Sequence, residues 1–266
     1  MGESGIYMRL ALASIRARME YKASFFVFLF AIVLFYLAQL GVLVVIIARF
    51  KEIHGWTMGD MAFLYGLLTF SQGFTTLFFN ALVNFDQTLI NGEFDRNLVR
   101  PLSPLGQVIF SRFEASTIAH MVIGSFALYY GAKLSGIDWT TKKMLFLPLV
   151  ILGGVLIQGA IRLFVTAVAF WTLRNSALVH TVVYSSKEFV VYPVTIYNYG
   201  VQFFLTFLFP VAFINFYPAQ FFLEKTGDNL FNPVLQMLTP VVGIVLFSFS
   251  LLAWRTGVNH YQSSGS

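Results

Sequence analysis

Apolar positions in this chain come in long unbroken runs separated by short polar segments, rather than in the alternating or half-polar patterns of a soluble fold. Six runs are long enough to cross a bilayer, whose hydrocarbon core takes about 20 helical residues. They cover roughly Ala23 to Ala48, Met61 to Val83, Val108 to Gly131, Met144 to Trp171, Tyr197 to Phe216 and Val234 to Trp254. The pattern predicts an all-α membrane protein with six transmembrane helices. The first run is too long for a signal-peptide core and has no small-x-small cleavage site, so it is expected to stay as an anchor. Ahead of it, residues 1–22 place Ile6, Leu10, Ala13, Ala17 and Tyr21 on one helical face, with Arg9, Arg16, Arg18 and Lys22 around the others. This predicts an amphipathic helix lying in the headgroup layer; a basic leader that only sets topology accounts for the same residues. After the fifth run, residues 217–232 begin too apolar for an ordinary loop. Ala219 to Leu223 is expected either to re-enter the outer leaflet, with its backbone buried in protein, or to lie as an interfacial helix.

Composition agrees. The 266 residues are 58% hydrophobic and 11% charged, with a mean hydropathy of +0.75, against about 45–50% apolar and about 25% charged in soluble domains. The absence of cysteine removes disulfides, thiolate metal sites and cysteine nucleophiles. A net charge of +5 reads as basic residues held against anionic lipid, not as a nucleic-acid surface. With six spans the termini share a side. That side carries ten basic residues, four of them before the first span, against six on the other, which places both termini in the cytoplasm.

Chemistry is sparse. There is no G-x-x-x-x-G-K-[ST] phosphate loop, no H-E-x-x-H and no G-x-S-x-G, and His54, His120, His180 and His260 lack metal-ligand spacing. No catalytic residue and no metal site is expected. Charges within spans are more informative, since an ionised group at the bilayer centre costs at least about 2.5–3.5 kcal/mol and needs a partner or water. Arg162 falls near mid-depth of the fourth span. Glu114, one and a half to two turns into the third, is its candidate partner in an intramembrane pair, either functional or simply joining helices. His120 is expected to make a helix–helix hydrogen bond or to line a pore. Thr69, Gln72, Thr75, Thr76 and Asn80 give the second span a polar side, suited to lining a pathway or to hydrogen bonding between helices.

The segment NGEFDRNLVRPLSP, Asn91 to Pro104, holds two carboxylates, two arginines and two prolines between apolar runs. Phe85, Leu89, Phe94 and Leu98 recur at spacings of four, five and four, a rough helical stripe, and Pro101 stops the helix before Pro104 restarts the chain. A short cytoplasmic amphipathic helix follows, held between two spans and able to transmit a push.

These residues resemble a family. Gly92-Glu93-Phe94-Asp95 followed by Leu98-Val99-Arg100-Pro101-Leu102-Ser103-Pro104 is similar to the G-x-[FL]-D-x-x-L-[LV]-R-P-L-x-P-L signature of ABC-2 type permeases. The tail from Trp254 through Gly257 and Tyr261 to Gly265 resembles the W-x-x-G-x-x-x-Y-x-S-x-G ending of one branch, and the prolines at 193, 210 and 218 are similarly placed. The resemblance implies an ABC-2, type V exporter-like permease fold: a 1–22 connecting helix and a 23–266 permease domain in the inner (plasma) membrane of a bacterial cell. It implies a dimer with a second permease, identical or different, on two copies of an ABC ATPase that would hold ATP and Mg, with no cofactor bound by this chain. The 84–106 loop would be the coupling element, with Asp86, Glu93, Phe94, Asp95, Arg96, Leu98 and Arg100 toward the ATPase and Tyr184 to Glu188 a lesser contact. The pathway would follow the dimer interface between spans two and five, exporting a lipid-like, drug-like or other amphipathic substrate. Two alternatives remain open: an ion-coupled secondary transporter, although no internal repeat is visible, and a non-transporting scaffold or sensor that docks an ATPase.

Overall fold

The computed structural model describes residues 3–19, 22–50, 52–112, 114, 116–225 and 231–262, and no strand occurs among them. The helix α1 (Glu3–Met19) is followed by the long α2 (Lys22–Phe50). Next comes α3 (Met58–Phe79), opened by a capping box in which Thr57 and Asp60 exchange side-chain and backbone hydrogen bonds. A 3-10 turn over Asn80–Asn84 leads into α4 (Phe85–Ile90), α5 (Glu93–Leu98) and α6 (Pro104–Phe110). Then come α7 (Ser116–Leu134) and α8 (Thr141–Thr172). A shorter helical run joins α9 (Ser176–Leu178) to α10 (Ser186–Glu188) through a π-helical segment, Val179–Ser185. After a 3-10 turn at Val194–Ile196 come α11 (Tyr199–Phe203), continued by a π turn over Phe204–Leu208, and α12 (Ala212–Phe222). A final 3-10 turn, Pro233–Met237, precedes α13 (Thr239–His260).

Among the described residues four helices, beginning at Lys22, Met58, Thr141 and Thr239, are long and apolar enough to cross a membrane, or five if the bent pair α11–α12 counts as one span. The expectation was six. The difference lies in α7, whose His120, paired tyrosines and Lys133 dilute its apolar character, and whose start at Ser116 falls eight residues beyond the expected Val108. Glu114 therefore stands in the non-helical link before α7, not inside a span.

The fifth crossing also differs. In place of one helix from Tyr197 to Phe216, the chain bends by 106° at Phe209–Val211, where Pro210 interrupts the backbone ladder. Ala219 to Leu223, expected either to re-enter the outer leaflet or to lie as an interfacial helix, forms the end of the buried helix α12, in which Ala212, Asn215 and Ala219 have no exposed surface; residues 226–230 of the same expected segment lie outside the described set. Asn215 pins the broken crossing: its Nδ2 donates to the carbonyls of Val190 (2.6 Å) and Leu64 (3.3 Å), joining the end of α10 to α12 and α3. Irregular backbone is tolerated at such depth only when protein covers it.

Tight packing starts at α3 and α7, which lie antiparallel. Gly59, Gly66 and Gly73 on α3 recur every seven residues, as do Gly124 and Gly131 on α7. A Cβ at Gly66 would stand 2.5 Å from the Leu128 nitrogen, and one at Gly131 would stand 2.3 Å from the Phe63 nitrogen. Lipid tails are as apolar as the side chains, so helices in a bilayer associate largely through close packing, and small residues permit it. On another side α3 runs parallel to α8, where Ser71 fills the space over Gly154. At the end bearing Trp56, hereafter the far end, Lys143 pairs with Glu224 (2.7 Å) and Lys225 with Asp60 (3.0 Å), while Lys225 also donates to the Gly55 carbonyl (2.6 Å). The Lys143 ammonium holds the exposed Glu224 carboxyl below the usual carboxylate range. The opposite, near end carries α4, α5 and α6.

Gly131→Ala is expected to destabilise the fold by about 1–3 kcal/mol through overpacking, whereas Gly41→Ala, where nothing lies within 4 Å of an added Cβ, should be neutral or slightly stabilising. Thermal unfolding in a non-ionic detergent measures both. Equal shifts would remove the close-approach argument.

Candidate functional site

At the near end the chain turns out of α3 through α4 and α5. The four–five–four spacing of the apolar stripe is reconciled by Gly92, whose left-handed backbone (φ 65°) absorbs the additional residue between Leu89 and Phe94. The Asn91 and Gly92 N–H groups donate to the Gln87 (3.0 Å) and Leu89 (3.1 Å) carbonyls, a glycine-closed helix end. The single helix expected across Phe85 to Leu98 is thus two short helices with a turn between them. Beyond Pro101, Ser103 caps α6: its Oγ accepts from the Gly106 N–H (3.4 Å), and Pro104 takes the first helical position.

Phe85, Leu89 and Phe94 are wholly buried. Phe94 sits with its ring centroid 5.2 Å from Phe85, 5.4 Å from Phe170 and 5.2 Å from Tyr261, and Trp254 packs 5.1 Å from both Phe85 and Phe170. The edge-on arrangement favoured by ring quadrupoles recurs through this cluster. A Cβ at Gly257 would come within 2.4 Å of the Phe170 ring, so the final turns of α13 pack directly against the cluster. Two residues expected to face a partner are therefore anchors. Phe94 has no exposed surface, and Asp86, 4% exposed, turns inward to accept from the Gln87 N–H at 2.8 Å. What faces outward is Arg96, Leu98, Arg100 and Val99, the last 83% exposed and not singled out from sequence; Glu93 and Asp95 are half-buried. Burial first, and then the Asp95 carboxylate beside it, push the Tyr261 phenol up to about 12. The helix α1 reaches the same region. Its Tyr7 hydroxyl accepts from the Ser103 N–H (3.0 Å), and its ring lies over Gly106 and 5.4 Å from Phe110.

Within the bundle, a cavity of about 510 Å³ separates α2 from the rest. One face of α3 lines it with Tyr65, Thr69, Gln72, Thr76 and Asn80, at helical spacings of four, three, four and four. Thr75 does not join them. Its Oγ1 donates to the Ser71 carbonyl (2.9 Å), and its own carbonyl accepts from Arg162 Nη1 (3.3 Å). Glu114 and Arg162 both line the cavity, but Glu114 accepts from Asn80 Nδ2 (3.2 Å), and no ion pair to Arg162 occurs among the described residues. His120 on α7 hydrogen-bonds Tyr36 of α2, the interhelical bond expected of it, and Tyr65 donates to Gln39 Oε1 (3.3 Å). Tyr184, Lys187 and Glu188, expected in a surface loop, line this cavity instead, because α9 and α10 run back into the bundle beside α8. Among the described residues no group of acidic, histidine or cysteine side chains could hold a metal.

The sequence profile described as ABC-2 family transporter protein matches residues 31–265. The chain belongs to that family. No curated protein and no solved structure matches it. The matched span takes in the cavity and the aromatic cluster of the permease and leaves out α1. In the permease the two motifs that carried the resemblance, the Gly92-to-Pro104 segment and the Trp254-to-Tyr261 tail, meet through Phe94, Trp254 and Tyr261.

Phe94→Ala should cost about 3–5 kcal/mol, whereas exposed Leu98→Ala should stay within about 0.5 kcal/mol. Denaturant unfolding of Phe94→Ala, Trp254→Ala and the double variant is expected to show clear non-additivity, as for residues in contact. Additive losses would mean that the rings do not act as one unit.

Proposed function

We propose that the permease is the membrane subunit of an ATP-binding cassette exporter, docking a separate ATPase at its near end, which faces the cytoplasm together with both termini. One observation carries this reading: a charged segment, Glu93 to Arg100, with Arg96, Leu98, Val99 and Arg100 facing outward, is fixed by Phe85 and Phe94 onto the ends of α8 and α13. A docked load on such a segment passes into two long helices rather than dissipating in a loop. The chain has no phosphate loop of its own, in keeping with ATP and Mg held by two partner ATPase subunits. A second permease, identical or different, completes the assembly in the plasma membrane. The cargo is an amphipathic molecule that passes along the polar face of α3.

An ion-coupled carrier is the competing reading, favoured by the Glu114 and Glu188 carboxylates at the cavity. Transport in proteoliposomes separates the two, because export requires ATP with the ATPase present, whereas a carrier runs on an ion gradient without it.

Glu93→Lys, Asp95→Lys and Val99→Asp are expected to leave membrane insertion unchanged and to weaken copurification of the co-expressed ATPase about tenfold, or ~1.4 kcal/mol. Lys133→Glu, on α7 toward the far end, should have no effect. Full ATPase recovery with all three near-end variants would exclude docking through this segment.

A further inference from the structure

Two cations, Arg162 and Lys187, line the cavity together with the Glu114 and Glu188 carboxylates, and neither cation makes an ion pair among the described residues. Arg162 is 3% exposed, and among the described residues its hydrogen bond goes to the Thr75 carbonyl. Lys187 lines the same cavity and also a smaller pocket behind it, again beside Arg162. Its ammonium lies 5.1 Å from the Tyr184 ring centroid and pairs with no carboxylate among the described residues. Gln158, 6% exposed and lining that smaller pocket, leaves both amide atoms without a partner. Of the carboxylates at the cavity, Glu114 is engaged by Asn80, and Glu188 has an exposed side chain. Two adjacent cations and an unsatisfied amide donor, deep in a bundle that crosses lipid, are costly unless an anion or water completes them.

We propose that Arg162 and Lys187, with Gln158, form a binding site for the anionic headgroup of an amphiphile, a phosphate or similar oxyanion carried on an apolar tail. The guanidinium offers a planar fork matched to oxyanions, and Lys187 adds a second charge. Tyr65, Thr69, Gln72 and Thr76 supply neutral hydrogen-bonding groups along the α3 side of the same cavity. A volume of about 510 Å³ suits a headgroup and not a pair of acyl chains. Phe28 and Phe35 of α2 flank the polar wall, giving the first carbons of a tail an apolar lining. The inference deepens the export reading by naming the chemical class of cargo.

The test is direct binding to the full chain, purified in dodecyl maltoside without any ATPase, so its failure leaves the docking test untouched. Dodecyl phosphate, zwitterionic dodecylphosphocholine and inorganic phosphate are titrated by calorimetry and by thermal shift. Dodecyl phosphate is expected to bind at least about tenfold more tightly than dodecylphosphocholine, and Arg162→Gln to weaken it about tenfold or more, the scale of one charge-assisted hydrogen bond. Lys187→Gln should act in the same direction, and Lys133→Gln should be neutral. Inorganic phosphate competing at similar concentration would place the site's preference on the free anion; failure to compete would place it on the tailed one, and both support an anion site. Because Arg162→Gln removes a buried charge that makes no ion pair among the described residues, its unliganded melting temperature should not fall. Equal binding of the phosphate and phosphocholine amphiphiles, or unchanged dodecyl phosphate affinity in both variants, would overturn the proposal.

Discussion

Contact between the backbones of α3 and α7 sets the geometry from which the rest of the permease follows. With no Cβ at Gly66, Gly73, Gly124 and Gly131 the two helices touch along their length, and dispersion accumulates where the hydrophobic effect contributes nothing between helices in lipid. The helix α3 is then committed on two sides, to α7 by glycine and to α8 through Ser71 and the Thr75 carbonyl. The side left over carries Tyr65, Thr69, Gln72, Thr76 and Asn80, which cannot be turned toward lipid without cost. It faces a cavity whose outer wall, α2, is joined to the body through Tyr36 with His120 and Gln39 with Tyr65. A polar cavity is what remains when two faces of a helix are packed and the third is hydrophilic.

The near end follows a different logic. Ten-residue distances in sequence count for little there, since Phe85 and Phe94 find their partners in Phe170, Trp254 and Tyr261. Each ring satisfies its neighbours edge-on, so a short charged segment gains the rigidity of a core. The Tyr7 hydroxyl adds a third attachment from α1. The segment is tied to both the beginning and the end of the described chain.

Much of this was legible in the sequence. Hydropathy located α2, α3, α8 and α13, because each is a single uninterrupted apolar helix. The polar side of α3 was readable from spacing, and only Thr75 was misassigned, since its hydroxyl can be satisfied by the carbonyl one turn earlier. The fifth crossing escaped because hydropathy averages over a bend; Pro210 was the local sign, and the pinning by Asn215 exists only in three dimensions. Glu114 was placed inside a span because apolar content runs through Val108 to Phe110 before the helix of α7 begins. The burial of Phe94 within the chain is not legible in the sequence, because an amphipathic stripe says that something covers it, not what. The glycine heptads stand in the sequence, but apolar content and charge do not mark them as a line of contact between helices. Lys187 was assigned to a surface loop, and nothing local in the sequence tells a loop lysine from one folded back beside Arg162.

The aromatic cluster also imposes an order of events during synthesis. Phe85 and Phe94 leave the ribosome early, while Trp254 of α13 and Tyr261 just after it, which complete their surroundings, follow much later in the chain. Chains emerge and fold from the N-terminus onward, so until α13 is inserted the segment has apolar rings with nothing to close over them. A truncated or stalled chain would lack the firm charged surface of the finished one. Insertion of α13 is thereby written into the firmness of this charged surface.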